Sequence, residues 1–204
     1  MKIYFVRHGE SFANTLHIIS NHDLSHSLTE KGRAQAMQVS TALKGKPIER
    51  IYASPVLRAM ETAKIHAENL GVLLETVDGL REYDLGELEG RGDDEAWMIH
   101  AQYVRDWLEG RNRDQCPAGG ETYYDIEHRF APFVKGLIRQ FGGSSSEVLC
   151  VGHGGVYMFG LPYVLSNISL EFIGERSGIG YTKIIVAELQ ADRLVCTAWG
   201  EETP

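Results

Sequence analysis

The sequence predicts an α/β fold with a largely parallel sheet, on three observations. Short apolar runs of strand character alternate along the chain with amphipathic stretches of helical period. Two of the runs, Ile3–Val6 and Glu147–Val151, are almost continuously apolar, which marks buried strands. The last two, Tyr181–Leu189 and Leu194–Trp199, flank the spacer Gln190-Ala191-Asp192-Arg193 and predict a closing hairpin.

The elements follow in order. The first strand, Ile3–Val6, stops at Arg7-His8-Gly9, where Gly9 permits a tight turn that a Cβ would resist. Residues 11–27, polar and rich in Asn, Ser and His, predict a loop over the strand end. A helix opens at Leu28-Thr29-Glu30-Lys31-Gly32, with Thr29 as its N-cap, Ala34, Met37 and Leu43 among its apolar positions, and Pro47 ending the region. Residues 49–53 form the second strand. Ser54-Pro55 then starts a helix that carries Arg58 and runs to about Leu70, with Gly71 as its C-terminal cap.

Residues 72–77 are the third strand, and the acidic, glycine-punctuated stretch 80–90 predicts an ordered loop. Trp97, Tyr103, Val104, Trp107 and Leu108 predict an amphipathic helix from Asp93 to about Glu109. A loop over 110–120, a long helix from Glu121 to about Phe141 and a turn at 142–146 come next. The strand at Glu147–Val151 ends at Gly152-His153-Gly154-Gly155, and Pro162 kinks or shortens the helix that follows.

With 204 residues, 43% hydrophobic and 24% charged, the chain can fill the core of one large domain, or of one domain with a sizeable insertion. A net charge of −8 argues against nonspecific nucleic-acid or anionic-membrane binding. It also requires that an anionic substrate be met by a local cluster of basic groups. Cys116, Cys150 and Cys196 are scattered, with no Cys-x-x-Cys pair, so neither a disulfide framework nor a structural zinc site is indicated. Cys150 and Cys196 lie in strand-like runs and are expected in the core. The few apolar residues before Arg7 are too short for a signal peptide, and no run of about 18 apolar residues could span a membrane. A reduced, cytoplasmic protein is expected.

Three strand-to-helix junctions carry basic or imidazole groups: Arg7-His8, Arg58 and His153. In an open parallel sheet the carboxyl ends of the strands line one edge, where ligands bind. Neighbouring strands would bring two arginines and two histidines to one point. Guanidinium groups pair bidentately with phosphate oxygens and neutralise charge that builds up in phosphoryl transfer, while a histidine can serve as nucleophile. On its own, Arg7-His8 has a solvated strand end as its plainer reading.

Five ordered motifs then resemble the histidine phosphatase superfamily, in the branch of the cofactor-dependent phosphoglycerate mutases and their phosphatase relatives. They are Arg7-His8-Gly9-Glu10 with Ser11 and Asn14; the run 54–63 around Arg58, after Leu28-Thr29-Glu30-Lys31-Gly32; Leu80-x-Glu82-x-x-x-Gly86-x-x-Glu89-Gly90; Pro117-x-Gly119-Gly120-Glu121-Thr122; and Val151-Gly152-His153-Gly154-Gly155. The resemblance runs nearly the length of the chain. It implies a three-layer α/β/α sandwich over residues 1–204 as a single domain, with 91–120 a partly helical cap insertion over the active site.

It further implies that His8 is the nucleophile that becomes phosphohistidine and that Arg7, Arg58 and His153 hold the transferring phosphoryl group. Asn14 and Gly154 join them in binding the substrate, and Glu82 protonates the leaving alcohol. No metal or other cofactor is implied, because the arginines and His153 supply the positive charge. From the residues alone, Asp84, Glu87 and Glu89 compete with Glu82 for the acid role.

Other features have plainer readings. His22 and His26 have the spacing of a helical metal pair but lack a third ligand. Trp97, Tyr103 and Trp107 are a packing face, some of which shapes the pocket if the cap covers it. Arg105, Arg111 and Arg113 are exposed or meet a second acidic group on the substrate, and Asn167-Ile168-Ser169 is a sequon without meaning in a cytoplasmic protein. Leu88 stands where related chains often carry an aromatic, which would alter the pocket wall.

The expected function is metal-independent hydrolysis of a small phosphorylated metabolite through a phosphohistidine. A phosphoglycerate mutase is the rival, disfavoured by the short chain, by the absence of a basic, proline-rich insertion in 91–120, and by Gly155 where mutases usually place Asn. A non-catalytic phospholigand-binding module is the alternative from another class. Phosphosugars, phosphoglycerates, phosphoserine and ribazole phosphate all fit, and the chain is open to being a monomer or a homodimer, with no nucleic-acid or membrane partner.

Overall fold

Alternate residues of the first strand, β1 (Lys2–Arg7), enter two different cores. Ile3 and Phe5 pack with Phe130, Val134 and Tyr157, whereas Tyr4 and Val6 pack with Val39, Leu43, Ala59 and Ala63. A strand apolar on both faces must be covered on both, so the sheet lies between two helical layers. The computed structural model describes residues 1–21, 26–176 and 178–204, which leaves His22 of the suggested histidine pair outside the described residues.

The sheet adds β2 (Ile48–Ala53), β3 (Leu74–Thr76), β4 (Glu147–Gly152), β5 (Ile184–Gln190) and β6 (Arg193–Trp199), in the order β3-β2-β4-β1-β5-β6. Strands β3, β2, β4 and β1 run parallel, while β5 is antiparallel to β1 and to β6. The hairpin predicted at the end of the chain therefore closes the β1 side of the sheet. One face is covered by α2 (Glu30–Leu43) and α3 (Leu57–Leu70), the other by α5 (Tyr123–Phe141) and α6 (Gly154–Val164). The fold is the predicted α/β/α arrangement.

Two shorter helices, α1 (Phe12–Thr15) and α7 (Leu170–Gly174), and one longer, α4 (Asp94–Leu108), complete the chain. Their caps follow the sequence. Thr29 accepts from Gly32 N–H at the start of α2, and Asp93 accepts from Ala96 N–H at the start of α4. Trp107 of α4 is fully buried, with edge contacts to Phe159 of α6 and Tyr123 of α5. Truncating an anchor of that kind to Ala costs about 3–5 kcal/mol, so α4 is firmly fixed. Among the described residues no helix is long and apolar enough to cross a membrane.

The structure departs from the sequence expectations in a few places. Residues 11–27 are not all loop, because α1 forms where Asn14 Oδ1 accepts from both Ser11 N–H and Ser11 Oγ–H. On α2, Ala34 and Met37 face solvent, and the buried stripe is Gly32, Ala36, Val39, Ser40 and Leu43. Pro162 shortens α6, which ends two residues later at Val164. Strand β5 begins at Ile184 rather than Tyr181, because Thr182 takes φ +53° and gives its N–H to the Arg7 carbonyl. That break has a consequence: the Tyr181 ring is released to lie under Arg7.

Candidate active site

The carboxyl ends of β1, β4 and β2 lie side by side, as the clustering of basic groups requires. Backbone bonds hold the ends in register: His8 N–H donates to Gly152 O at 3.0 Å, and Ser54 N–H to Val151 O at 2.9 Å. The turn after His8 does not need a left-handed backbone at Gly9. A Cβ there would instead strike the backbone of Gly32, whose own Cβ would strike Glu10. The two glycines let the first turn of α2 close directly on the turn that presents His8.

His8 is 2% exposed, and its Nδ1–H donates to the Gly9 carbonyl at 2.7 Å. A carbonyl only accepts, so the bond fixes the tautomer and leaves Nε2 with its lone pair. Arg58 Nε–H donates to that lone pair at 3.0 Å. Burial, with Arg58 and then Arg7 nearby, holds the His8 imidazolium well below the ordinary histidine range. The ring is therefore neutral at neutral pH, as a nucleophile must be.

Arg7 lies on its own strand end with Nη1–H donated to Ile179 O at 2.6 Å and its guanidinium 4.3 Å over the Tyr181 ring. Arg58 is 4% exposed, and burial lowers its pKa to about 10, which still leaves it charged near neutrality. Arg7 Nε and Arg58 Nη1 are buried without partners, so each guanidinium has capacity left for an anion.

His153 is fully buried, with its ring centroid 5.1 Å from that of His8. Burial first, then Arg58, His8 and Arg7, keep it neutral. Its Nε2 lies 2.7 Å from Ser54 Oγ, and Ser54 in turn accepts from Val56 N–H at 3.2 Å. The hydroxyl keeps one proton and one lone pair, so it can give to Nε2 or accept from it; when it gives, the imidazole proton is on Nδ1, the atom without a partner among the described residues. Sequence reading gave Ser54 only a place at a helix start; the backbone bond that sets it level with Val151, just past β2, is not visible in the sequence.

Glu82 is 8% exposed and is fixed by the backbone. Oε2 accepts from Gly155 N–H at 2.9 Å, and Oε1 from Val156 N–H at 2.6 Å and Tyr83 N–H at 3.2 Å. Those bonds and Arg58 favour the carboxylate, but burial outweighs them and raises the pKa above the ordinary carboxyl range. A carboxyl so poised can hold a proton and release it. Gly155 has to be glycine, because a Cβ would collide with the Tyr83 ring and come within 2.8 Å of Glu82 Oε1.

Arg7, His8, Asn14, Arg58, Glu82 and Gly154 all line one cavity of about 270 Å³. His153 stands behind that wall, beside His8. Asn14 spends its carbonyl on Ser11 and keeps its amide donors for the cavity. Of the four carboxylates in the 80–90 stretch, Glu82 alone is in the cavity wall. Asp84 accepts from Gly86 N–H, Glu89 from Asn21 and Leu85 N–H, and Glu87 is exposed.

Helix α4 supplies the opposite wall with Trp97, His100 and Val104, whereas Trp107 belongs to the core. Leu88 is also a core residue and is not in the pocket wall, contrary to expectation. Arg111 pairs with Asp106 and Glu109, and Arg113 donates to Trp107 O and stacks on Tyr123. Arg105 faces a separate groove between α4 and α7. Among the described residues, no three of His, Cys, Asp and Glu come together as metal ligands.

Residues 3–202 match the family model of the histidine phosphatase superfamily (branch 1). Phosphoglycerate mutase-like protein 4 from Arabidopsis thaliana is 33% identical over 157 residues, 76% of this chain and 67% of that one. A mycobacterial glucosyl-3-phosphoglycerate phosphatase solved with VO3 superposes with a TM-score of 0.83 at 24% identity, covering 98% of this chain and 99% of that one. A phosphoserine phosphatase mutant from Entamoeba histolytica, solved with phosphoserine, gives 0.80 at 24% identity over 98% and 96% of the two chains. At that identity the solved structures speak for the fold alone.

Proposed function

This chain belongs to the histidine phosphatase superfamily (branch 1), and on that premise we propose that it is a metal-independent phosphomonoester hydrolase acting through a phosphohistidine. One observation carries the reading: a tautomer-locked His8 and a Glu82 whose burial favours its protonated form share a cavity with two guanidiniums.

The residues are assigned as follows. The phosphoryl group of a small phosphorylated metabolite enters against Arg7, Arg58, Asn14 and the first turn of α6 at Gly154, with the Nδ1–H of His153 behind it. Arg58 transfers its hydrogen bond from His8 Nε2 to a phosphoryl oxygen. The Nε2 lone pair then attacks phosphorus, the P–O bond to the alcohol breaks, and Glu82 gives its proton to the departing oxygen. The Nδ1–H bond to Gly9 O steadies the positive charge that the ring acquires. In the second half, the Glu82 carboxylate takes a proton from water as that water attacks phosphorus. The P–N bond breaks, inorganic phosphate leaves, and both residues return to their starting forms. Arg7 and Arg58 supply fixed positive charge throughout, the task a metal performs elsewhere.

Hydrolysis is favoured over mutase chemistry by two features of the same cavity. A mutase must hold a bisphosphorylated intermediate, and among the described residues the wall carries no cation beyond Arg7 and Arg58. The packing of Tyr83 and Glu82 against Gly155 also leaves no room for the Asn of the mutase pattern. We assign residues 91–120 to the cap of a single domain, and the three free thiols suit a reducing cytoplasm. The test is phosphate release from p-nitrophenyl phosphate in excess chelator by native protein and His8→Ala. Release by the native protein alone supports the reading; equal release by both would overturn it.

A further inference from the structure

Beyond the phosphoryl cluster, the cavity changes character. The wall facing the ester oxygen's far side is built from Ile18, Trp97, Val104, Met158 and Ile179, with His100 among them. Burial takes the His100 pKa down to about 4, and its Nε2 lies 2.6 Å from the Tyr83 hydroxyl, so this imidazole is a neutral wall group.

None of the arginines of α4 and its flanking loops lines the active-site cavity. Arg91 pairs with Asp93 and Glu95, Arg111 with Asp106 and Glu109, and Arg113 stacks on Tyr123. Arg105 lines the adjoining groove together with Glu109, Glu171 and Glu175. That groove, about 750 Å³, has His100 and Val104 in common with the active-site cavity and continues its apolar lining through Leu108 and Leu170. The polar groups the cavity keeps, Asn14, Ser20 and Asn21, are uncharged.

We propose that the alcohol portion of the substrate is uncharged and largely apolar, an alkyl or aryl group laid along Trp97 and Val104 toward the α4–α7 groove. The proposal rests on the phosphomonoesterase reading. A second carboxylate or phosphate near the ester would leave water for an apolar wall without a guanidinium to receive it, and both Arg7 and Arg58 are already committed to the phosphoryl group. Phosphoglycerates and phosphoserine, which carry such a carboxylate, are therefore poor substrates.

The test uses a matched pair: n-pentyl phosphate and the same ester ending in a carboxylate, whose leaving-group chemistry is alike. The expected kcat/KM ratio favours the uncharged ester by about tenfold or more. Val104→Lys places a cation in the shared wall and should shrink that ratio about fivefold or more by raising the carboxylate ester. Calorimetry of both esters on His8→Ala protein reads the same preference in Kd without turnover. Equal or reversed preference in kcat/KM and Kd overturns the substrate class, and an unchanged ratio in Val104→Lys overturns the path along α4. Phosphate release from both esters at equal rates would sink this inference and leave the hydrolase reading standing. No release from either, with the binding preference intact, would sink the hydrolase reading alone. If neither ester binds, both fail.

Discussion

Replacing Glu82 by Gln removes one proton-carrying oxygen from the cavity, and the structure says what else it does. The glutamine carbonyl can keep the Val156 and Tyr83 N–H bonds now made to Oε1 at 2.6 and 3.2 Å. Its NH₂ then replaces Oε2 opposite Gly155 N–H, at a separation now of 2.9 Å, so donor faces donor. Leaving a buried donor unpaired costs about 1–3 kcal/mol. In a chain of this size each kcal/mol lowers the thermal midpoint by about 2–4 °C, so the variant should fold but melt several degrees lower.

The kinetic effect is separate and larger. A positioned general acid contributes about 10²–10⁴-fold, or about 3–5 kcal/mol of barrier, and an alkyl phosphate should lose that much. A p-nitrophenolate leaves without help, so phosphorylation of His8 by p-nitrophenyl phosphate should fall about tenfold or less. In the proposed mechanism Glu82 is also the base for water attack in the second half-reaction. The variant should therefore show a rapid burst of about one nitrophenolate per protein, then a slow phase, with phosphohistidine accumulating. Stopped-flow absorbance reads the burst, and mass spectrometry at alkaline pH reads the phosphoenzyme. If alkyl and nitrophenyl esters lose the same factor and no burst appears, Glu82 is neither acid nor base.

Three further outcomes are expected. Arg58→Ala should lower kcat/KM by about 10²–10³ by removing a donor to the transferring group. It should also move the acid limb of the pH profile to higher pH, since the lost guanidinium helps depress the His8 pKa; a limb that stays put or moves down contradicts this. Ser54→Ala should orphan Val56 N–H and His153 Nε2, cost about 1–3 kcal/mol in urea denaturation and lower kcat by about tenfold or more. Ser54→Thr keeps the hydroxyl and should recover kcat; full activity in the Ala variant would show that the tautomer of His153 is set by something else. Gly9→Ala should force the Cβ against Gly32 and destabilise the fold by about 1–3 kcal/mol, so an unchanged urea midpoint would mean that α2 yields freely.

What the sequence disclosed, and what it hid, divides along physical lines. Strand and helix existence was legible because burial imposes period on composition: β1 and β4 are apolar on both faces, and α4 and α5 carry their apolar stripes. The convergence of Arg7-His8, Arg58 and His153 needed only that β1, β4 and β2 be neighbours, which the sheet order supplies. Long-range packing was not legible. Nothing local says that Gly9 answers to Gly32 rather than to its own φ, or that Thr182 will break β5 and release Tyr181 beneath Arg7. Leu88 misled for the same reason: its motif position suggested the pocket wall, but the buried 80–90 stretch turns it into the core. Which of the four acidic side chains reaches the amides at the start of α6 and the cavity wall is a fact of tertiary geometry.

The same tertiary geometry bears on how, in the proposed hydrolase, a chain of net charge −8 receives a phosphate dianion. Seven buried side-chain polar atoms lack partners among the described residues, and three of them are Arg7 Nε, Arg58 Nη1 and His153 Nδ1. Native proteins satisfy nearly all such atoms, so three around one imidazole are a local cost in stability. The two guanidinium atoms each carry a proton to donate, and Arg7 and Arg58 remain charged despite burial. In the proposed hydrolase, a phosphoryl group brings acceptor oxygens to the two guanidinium donors together with the charge that a neutral ligand lacks. On the proposed reading, recognition of the phosphoryl group is stored in the fold as unsatisfied donors, and the apolar wall of α4 offers no such donor to a second anion.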